Sequence, residues 1–597
     1  MATRRRLLWL LWLLGAGAVS WRAGARDEAA GERYADPNAR FERHFNAPFF
    51  DQYWVRNTDQ AVASGYYRVA GSLNVPDALY RADYQRFLEH WLAQLRSVPL
   101  TQLNDRNRTD WAVLDSRLRY EQWALTTLRE WQWNPAIYNI AEPLALILDT
   151  EYAPLDQRLR TASARLADVP AYYAAASRAL LRPTREHTAL AIDQNRGALQ
   201  LLGTGLEQQI AGSGITPKER ARLATQIKAA RAAVQTYIDA LQALTTGPAA
   251  LAARSFRIGQ ALYGQKFLFV HQSGESAPSL YRRALSEKEL VLARMDELSN
   301  QLWSQYFPDS ATPVDRFDRI GRVIAKLSEN HVAPADYVPA VERLIPALAD
   351  WVESHRLIDL DPSKPLQVRE TPSYERGVAI AGIDAPGPYD PAARTYFNVD
   401  PLDQDTPEQA ESFLREYNNW MLPVFIAHET IPGHYVQLMY ANRSPSRIKS
   451  IFGNGAMIEG WAVYSERMML ESGYGGNASE QWLMYWKWYL RSVTNTILDY
   501  SVHVLGMSEA VAKDLLRHEA FQSEKEVAGK WIRVQRSSVQ LTQYYSGFSA
   551  IYRLRERVQH AQGDRFDLRA FHEQFLSYGS APVAVIAALM SPGASSP

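Results

Sequence analysis

Phe425-Ile426-Ala427-His428-Glu429-Thr430-Ile431-Pro432-Gly433-His434-Tyr435 is the stretch on which the reading of this chain turns. Its apolar start predicts a helix, and a His-Glu pair followed by a second histidine predicts a metal site. In H-E-x-x-H helices two imidazoles four apart share one face, and the Glu faces the water on the ion. Here the histidines are six apart, which on a regular helix leaves His434 about 120° away from His428. Such a helix cannot bring both to one ion. Pro432 removes a backbone donor and Gly433 admits unusual backbone angles, so together they predict a two-residue bulge returning His434 to the face of His428. Two core histidines beside a kink would give the same letters.

Catalytic zinc takes three protein ligands and keeps one position open. Met457-Ile458-Glu459-Gly460-Trp461-Ala462-Val463-Tyr464-Ser465-Glu466 supplies the third, 25 residues beyond His434. Glu459 lies between apolar residues, so it is expected to face inward, where a carboxylate needs a metal or a cation as partner. An arginine would serve that need equally well. Glu466, seven residues on and on nearly the same helical face, is expected to support the site from behind the ligands.

Outward from this centre, the chain reads as helical from Pro76 to Asn300. Thr216-Pro217-Lys218-Glu219 carries a cap, a first-turn proline and a capping box, and predicts a long amphipathic helix running to Leu244. The texture changes between Pro362 and Asp400. Leu366 to Arg369, Gly377 to Ala381 and Thr395 to Val399 read as short strands around a loop marked by Pro386, Gly387, Pro388 and Pro391. Asp405-Thr406-Pro407-Glu408 then restarts helix. The expected organisation is a leader over 1–25 and a single unit over 26–597. Within that unit a helical part runs to about 360, a small sheet covers about 362–400, and the site helices cover about 406–597.

Composition excludes several classes. With 65 basic and 65 acidic residues among 597, no global field attracts nucleic acid or an anionic membrane. The 17 Trp and 31 Tyr suit helix packing first and a substrate channel second. Arg4, Arg5 and Arg6, the apolar run Leu7 to Val19 and Ala23-Gly24-Ala25 read as an export signal cleaved near Ala25. That run spans roughly 20 Å as a helix, short of a bilayer core; an uncleaved anchor is the alternative. No later stretch is apolar enough to span a membrane. The chain has no cysteine, which removes thiolate metal sites, Cys nucleophiles, disulfides and a lipidated cysteine. Periplasmic or secreted location is expected.

His428-Glu429-x-x-Pro432-Gly433-His434-x-x-Gln437 followed by Glu459-Gly460-Trp461-Ala462-x-Tyr464 closely resembles the bacterial DUF885 family. That family is itself similar to the helical zinc peptidases of the thimet-oligopeptidase and carboxypeptidase Taq class. Asp499-Tyr500-Ser501-Val502-His503, Gln540-x-x-x-Tyr544-x-x-Gly547 and the closing Phe566 to His572 match further family segments. Asn495 stands where members usually carry Arg, and 526–540 lacks their Arg-Tyr pair and proline. The resemblance implies a mainly α, zincin-like body divided by a deep channel, with the small sheet along one wall.

It also implies hydrolysis of short peptides. His428, His434 and Glu459 would hold Zn2+, Glu429 would be the general base, and Tyr544 the donor to the oxyanion, with Tyr545 and His503 in reserve. Asp499 is expected to orient a ligand imidazole or His503, or else to pair locally on its helix. The Tyr396-Phe397-Asn398 strand is expected either to receive peptide as a sheet edge or to be an ordinary strand. A zinc amidase or deacetylase, and a silent peptide-binding protein, are the rival expectations.

Overall fold

The computed structural model describes residues 36–246, 252–371, 381–384, 387–389, 394–403, 405–444 and 446–590. The leader over 1–25 and most of the strand expected at Gly377 to Ala381 lie outside these residues. The chain is mainly helical, with one small sheet. No described helix is long and apolar enough to cross a membrane.

The helices that carry and support the site are numbered in chain order. They are α1 Asp105–Trp123, α2 Arg185–Leu201, α3 Pro217–Ala243, α4 Gly259–His271 and α5 Ala277–Tyr306. After the sheet come α6 Leu422–Glu429, α7 His434–Arg443, α8 Gly455–Glu471 and α9 Ser479–His503. Last are α10 Glu524–Arg536 and α11 Gln543–Gln562.

Local sequence explains the entries. Thr216 accepts from the backbone N–H of Glu219 while the Glu219 side chain returns to the Thr216 N–H, a full capping box ahead of α3. Thr406 and Gln409 repeat it before the 407–416 helix. Helix α3 then buries Leu223, Ile227, Val234, Ile238 and Leu241 at helical spacing. These residues belong to an apolar core that gathers side chains from Val62 to Leu241. The larger core runs from Phe41 to Ile586, so the first and last helices pack into one body. Trp54, Trp91 and Trp461 are fully buried in it, which gives these aromatics a packing role.

The sheet joins β1 Gln367–Glu370, β2 Ala381–Asp384 and β3 Tyr396–Val399 in the order β1-β3-β2. β3 pairs parallel with β1 and antiparallel with β2. Of the two expectations for this segment the ordinary strand holds: β3 is the central strand, both its edges are occupied, and it cannot take a peptide as a third partner. The chain ahead of β1 touches the site helices through the Tyr435 hydroxyl on the Lys364 carbonyl.

Two glycines decide how the site helices cross. A Cβ on Gly547 of α11 would lie 1.7 Å from the Ala456 carbonyl oxygen and 2.7 Å from Gly460 Cα. A Cβ on Gly460 of α8 would lie 2.3 Å from the Gly547 carbonyl carbon. Backbone meets backbone there, and any side chain would force α8 and α11 apart.

Candidate functional site

Helix α6 carries His428 and Glu429 on its last turn and stops there. Thr430 turns out of helical geometry at φ −116°, ψ −98°, and its hydroxyl donates to the Ile426 carbonyl at 2.6 Å. The Ile431–Pro432 peptide is cis. Gly433 N–H returns to the Ala427 carbonyl at 3.0 Å, and α7 begins at His434. The expected bulge within one helix is therefore corrected to a complete break between two helices. Gly433 is required by closeness: a Cβ there would lie 1.9 Å from the His428 carbonyl oxygen. Trp461 of α8 donates to the Pro432 carbonyl at 2.9 Å and ties the break to the helix that bears Glu459.

The break brings the two imidazoles together, perpendicular, with ring centroids 4.8 Å apart. His434 Nε2 lies 3.6 Å from Glu459 Oε2. One donor atom from each of His428, His434 and Glu459 falls within 4.8 Å of the other two, so a single cation could take all three. His428 is buried, while the His434 and Glu459 side chains keep 16% and 20% of their exposure, which leaves a side open to solvent.

Behind the ligands, His428 Nδ1 meets Glu466 Oε1 at 2.6 Å, and Trp488 Nε1 donates to the same oxygen at 3.0 Å. Nε2 of His428 is thereby the atom that faces the cluster. Burial, with the neighbouring His434, lowers the His428 pKa to about 4, so its imidazole is neutral near pH 7 and its ring nitrogen is free to bind a metal. Burial pulls His434 the same way, but the Glu459 hydrogen bond and the Glu459 and Glu429 charges outweigh it and raise its pKa. Burial pushes the Glu459 carboxyl up, and His434, His428 and Arg533 together bring it below its ordinary value. Burial drives Glu466 well up. Glu429 stands outside the three-ligand group, yet its charge acts on both imidazoles.

The remaining candidates divide. Tyr544, at the start of α11, feels the Glu459 charge, and its hydroxyl accepts from Arg533 Nη2 at 2.8 Å. Tyr545 faces away, its ring under the Arg283 guanidinium of α5. His503 is turned from the cluster. Its Nε2 meets the Val534 and Ser537 carbonyls at 2.9 and 2.8 Å, and its ring packs on Phe256 and Tyr263. Asp499 orients no ligand imidazole and no histidine. Its oxygens accept from Tyr263 OH and from the Val539 and Leu541 N–H groups at 2.9 to 3.1 Å. Asp499 thus fixes the turn that leads into Tyr544.

Sequence reasoning missed three contributors. Trp488 reaches Glu466, and Arg491 of α9 pairs with Glu526 at 2.5 Å, one turn ahead of the buried Asn495. Arg533 of α10 reaches Tyr544. None stands at a local spacing from the motif, so only the fold could reveal them.

Two cavities, about 390 and about 280 Å3, share Tyr120, Val270 and Gln543 as lining. They lie between α1 and the start of α11. Gly455, at the head of the Glu459 helix, lines the first, and Gln540 lines the second.

Residues 59–590 match the family described as "Bacterial protein of unknown function (DUF885)". The chain belongs to the DUF885 family. A solved structure from Shewanella oneidensis, described as "a putative lipoprotein of unknown function", is 46% identical, with a TM-score of 0.85, and the match covers 92% of this chain and 99% of that one. A second, "the putative lipoprotein from Colwellia psychrerythraea", shares the fold at 16% identity with a TM-score of 0.72, over 90% of this chain and 96% of that one. No curated protein matches.

Proposed function

We propose that this DUF885 protein is an exported zinc metallopeptidase acting on short peptides. The observation that carries the reading is the convergence of His428, His434 and Glu459, with donor atoms within 4.8 Å, onto a half-open site. The donor set fits zinc: two imidazoles and one carboxylate are a usual catalytic triad of ligands. A carboxylate on the far nitrogen of His428 is the usual support for such a ligand. Zinc bound there would supply Lewis acidity and a water of lowered pKa.

The chain's own residues then divide the work. Glu429, adjoining a ligand at the end of α6, takes the proton of the attacking water and passes it to the leaving amine. The Tyr544 hydroxyl donates to the carbonyl oxygen as charge builds on it. A basic, then apolar N-terminus over 1–25 and the lipoprotein descriptions of the two solved relatives support export to the periplasm or beyond.

Glu429→Gln tests the reading. The variant is expected to keep its zinc and lose about 10²- to 10⁴-fold in peptide hydrolysis. Full turnover in the variant removes Glu429 as base. A purified wild-type chain that binds no zinc and cleaves no peptide removes the function.

A further inference from the structure

The chain carries 65 basic and 65 acidic residues, so a cavity that gathers unpaired cations does not follow from composition. One such cavity, of about 710 Å3, lies between the Pro37–Phe45 helix, residues 65–68 and the 387–389 segment. Arg43, Arg68 and Arg447 line it. All three are exposed, and none forms an ion pair with a described residue. Neighbouring arginines are matched: Arg443 pairs with Asp361 at 3.5 Å, and Arg106 pairs with Glu42.

Bonds between distant segments fix the walls. The fully buried Trp54 donates from Nε1 to the Tyr389 hydroxyl at 2.9 Å. Gly387 lies against residue 64, where a Cβ would stand 2.2 Å from the Ser64 carbonyl oxygen. Tyr66 and Tyr389 meet edge to face with centroids 4.9 Å apart. The Arg447 guanidinium lies 4.1 Å over the Tyr389 ring, and that of Arg68 lies 5.9 Å over the Tyr66 ring. Each of these two cations is thus held against its own aromatic face.

The lining selects the ligand. Tyr66 and Tyr389 each give a face to a guanidinium, and Tyr67 stacks on Tyr152 with centroids 3.6 Å apart. Recognition therefore rests on donors and acceptors more than on stacking. Guanidinium forks fit phosphate oxygens, and a phosphate monoester carries close to two negative charges near pH 7. Glu42, Asn46 and Asp51 line the same cavity. A bare polyphosphate would meet those two carboxylates, whereas a sugar offers them hydroxyl donors. The volume suits a small sugar with its phosphates.

We infer that this cavity binds a sugar carrying two phosphate groups, with Arg68 and Arg447 each taking one phosphate and Asn46 and Asp51 taking hydroxyls. Such a group comes either as a free sugar bisphosphate or as the head of a lipid. None of His428, Glu429, His434 or Glu459 lines the cavity, so the site is separate from the metal cluster and independent of the peptidase reading.

Titration calorimetry on the full chain tests this with glucose 1,6-bisphosphate, glucose 6-phosphate, pyrophosphate and tri-glutamate. The bisphosphate is expected to bind about 10- to 100-fold tighter than the monophosphate, the worth of one more charged hydrogen bond, and tighter than the other two. The same values are expected in Glu429→Gln. Arg68→Gln and Arg447→Gln are each expected to erase the preference for two phosphates. Their melting temperatures should stay unchanged, since both side chains are exposed. Phosphatidylcholine vesicles doped with a lipid bearing a bisphosphorylated glucosamine disaccharide head then separate the two sources. Capture that the free bisphosphate displaces assigns the lipid head; no capture, or capture it does not displace, assigns the free sugar. Pyrophosphate binding as tightly as the bisphosphate overturns the sugar site, and tri-glutamate doing so replaces it with an acidic peptide. Binding that survives both arginine substitutions overturns it as well. So does a bisphosphate that binds neither in solution nor on vesicles.

Discussion

Helices α3 and α9 solve opposite problems. Helix α3 buries seven of its 27 residues, all aliphatic or aromatic, and leaves its charged face in water. Helix α9 buries 20 of 25, among them Lys487, Thr494, Asn495, Asp499 and His503. A buried polar group costs free energy unless bonded. Helix α9 meets that demand by reaching other segments: Lys487 to Glu416, Asp499 to the 539–541 turn, His503 to the 534 and 537 carbonyls. The outer bundle is held mainly by apolar burial with a few polar bonds, such as Tyr237 OH to the Pro135 carbonyl and Arg165 to the Ser72 carbonyl. The helix at the centre of the site half instead buries many polar groups and bonds them to distant segments. The first arrangement tolerates change at its surface; the second transmits any displacement to the ligands.

Glycine exposes the contrast most strongly. Gly547→Ala puts a methyl 1.7 Å from the Ala456 carbonyl, where only backbone can give way. The expected result is a loss of about 3 kcal/mol or more of stability and loss of zinc, because Glu459 and Tyr544 ride on the two helices forced apart. Gly197 sits exposed inside α2, with nothing within 4 Å of a built Cβ. Gly197→Ala is expected to stabilise by about 1 kcal/mol, the helix-propensity gain, with zinc content unchanged. Thermal melts and metal analysis on both variants check this; the same sign in both would dissolve the distinction.

That contrast also explains what was legible beforehand. Spacing within one segment is local information, so the helix start at Thr216, the return to helix at Thr406 and the grouping of His428, Glu429 and His434 could be read directly. Glu459 follows from its apolar neighbours, and Glu466 from seven-residue phasing on the same helix. Spacing is silent about partners. Nothing around Asp499 announces that its oxygens cap a turn 40 residues later, and nothing around Arg533 announces Tyr544. The Pro-Gly pair reads as a bulge because a repair within one helix is the smallest change; the chain instead ends α6, since Thr430 closes it on Ile426. Gly460 and Gly547 are unremarkable apart, and their meaning lies in a crossing that no single segment encodes.

A smaller effect is expected behind the ligands. Glu466→Ala removes the acceptor that holds His428 Nδ1, so the ring is free to turn and Trp488 loses its partner. Zinc affinity is expected to fall about 10- to 100-fold, the usual loss for such a partner. Glu466→Gln keeps an acceptor oxygen in place and should fall less. Chelator competition measures both, and melts of the apo forms separate lost affinity from lost folding. Equal affinity in the alanine variant would mean that backbone alone orients His428.

The smallest effect belongs to the bundle. Thr216→Ala removes the hydroxyl half of the capping box ahead of α3, where the hydroxyl accepts from Glu219 N–H and also donates to the Glu219 carboxylate at 2.8 Å, and leaves the backbone N–H of position 216 on that carboxylate. The expected cost is about 1 kcal/mol, typical of a lost N-cap. It should appear as a lower melting temperature with zinc affinity and peptide turnover untouched. The polar bonds of α3, Glu219 to Arg160, Arg231 to the Leu202 carbonyl and Tyr237 to the Pro135 carbonyl, stay within the first half of the chain, so a frayed first turn has no direct bond to the His428 site. A drop in zinc affinity with this variant would mean that the two halves are coupled more tightly than their separate cores imply.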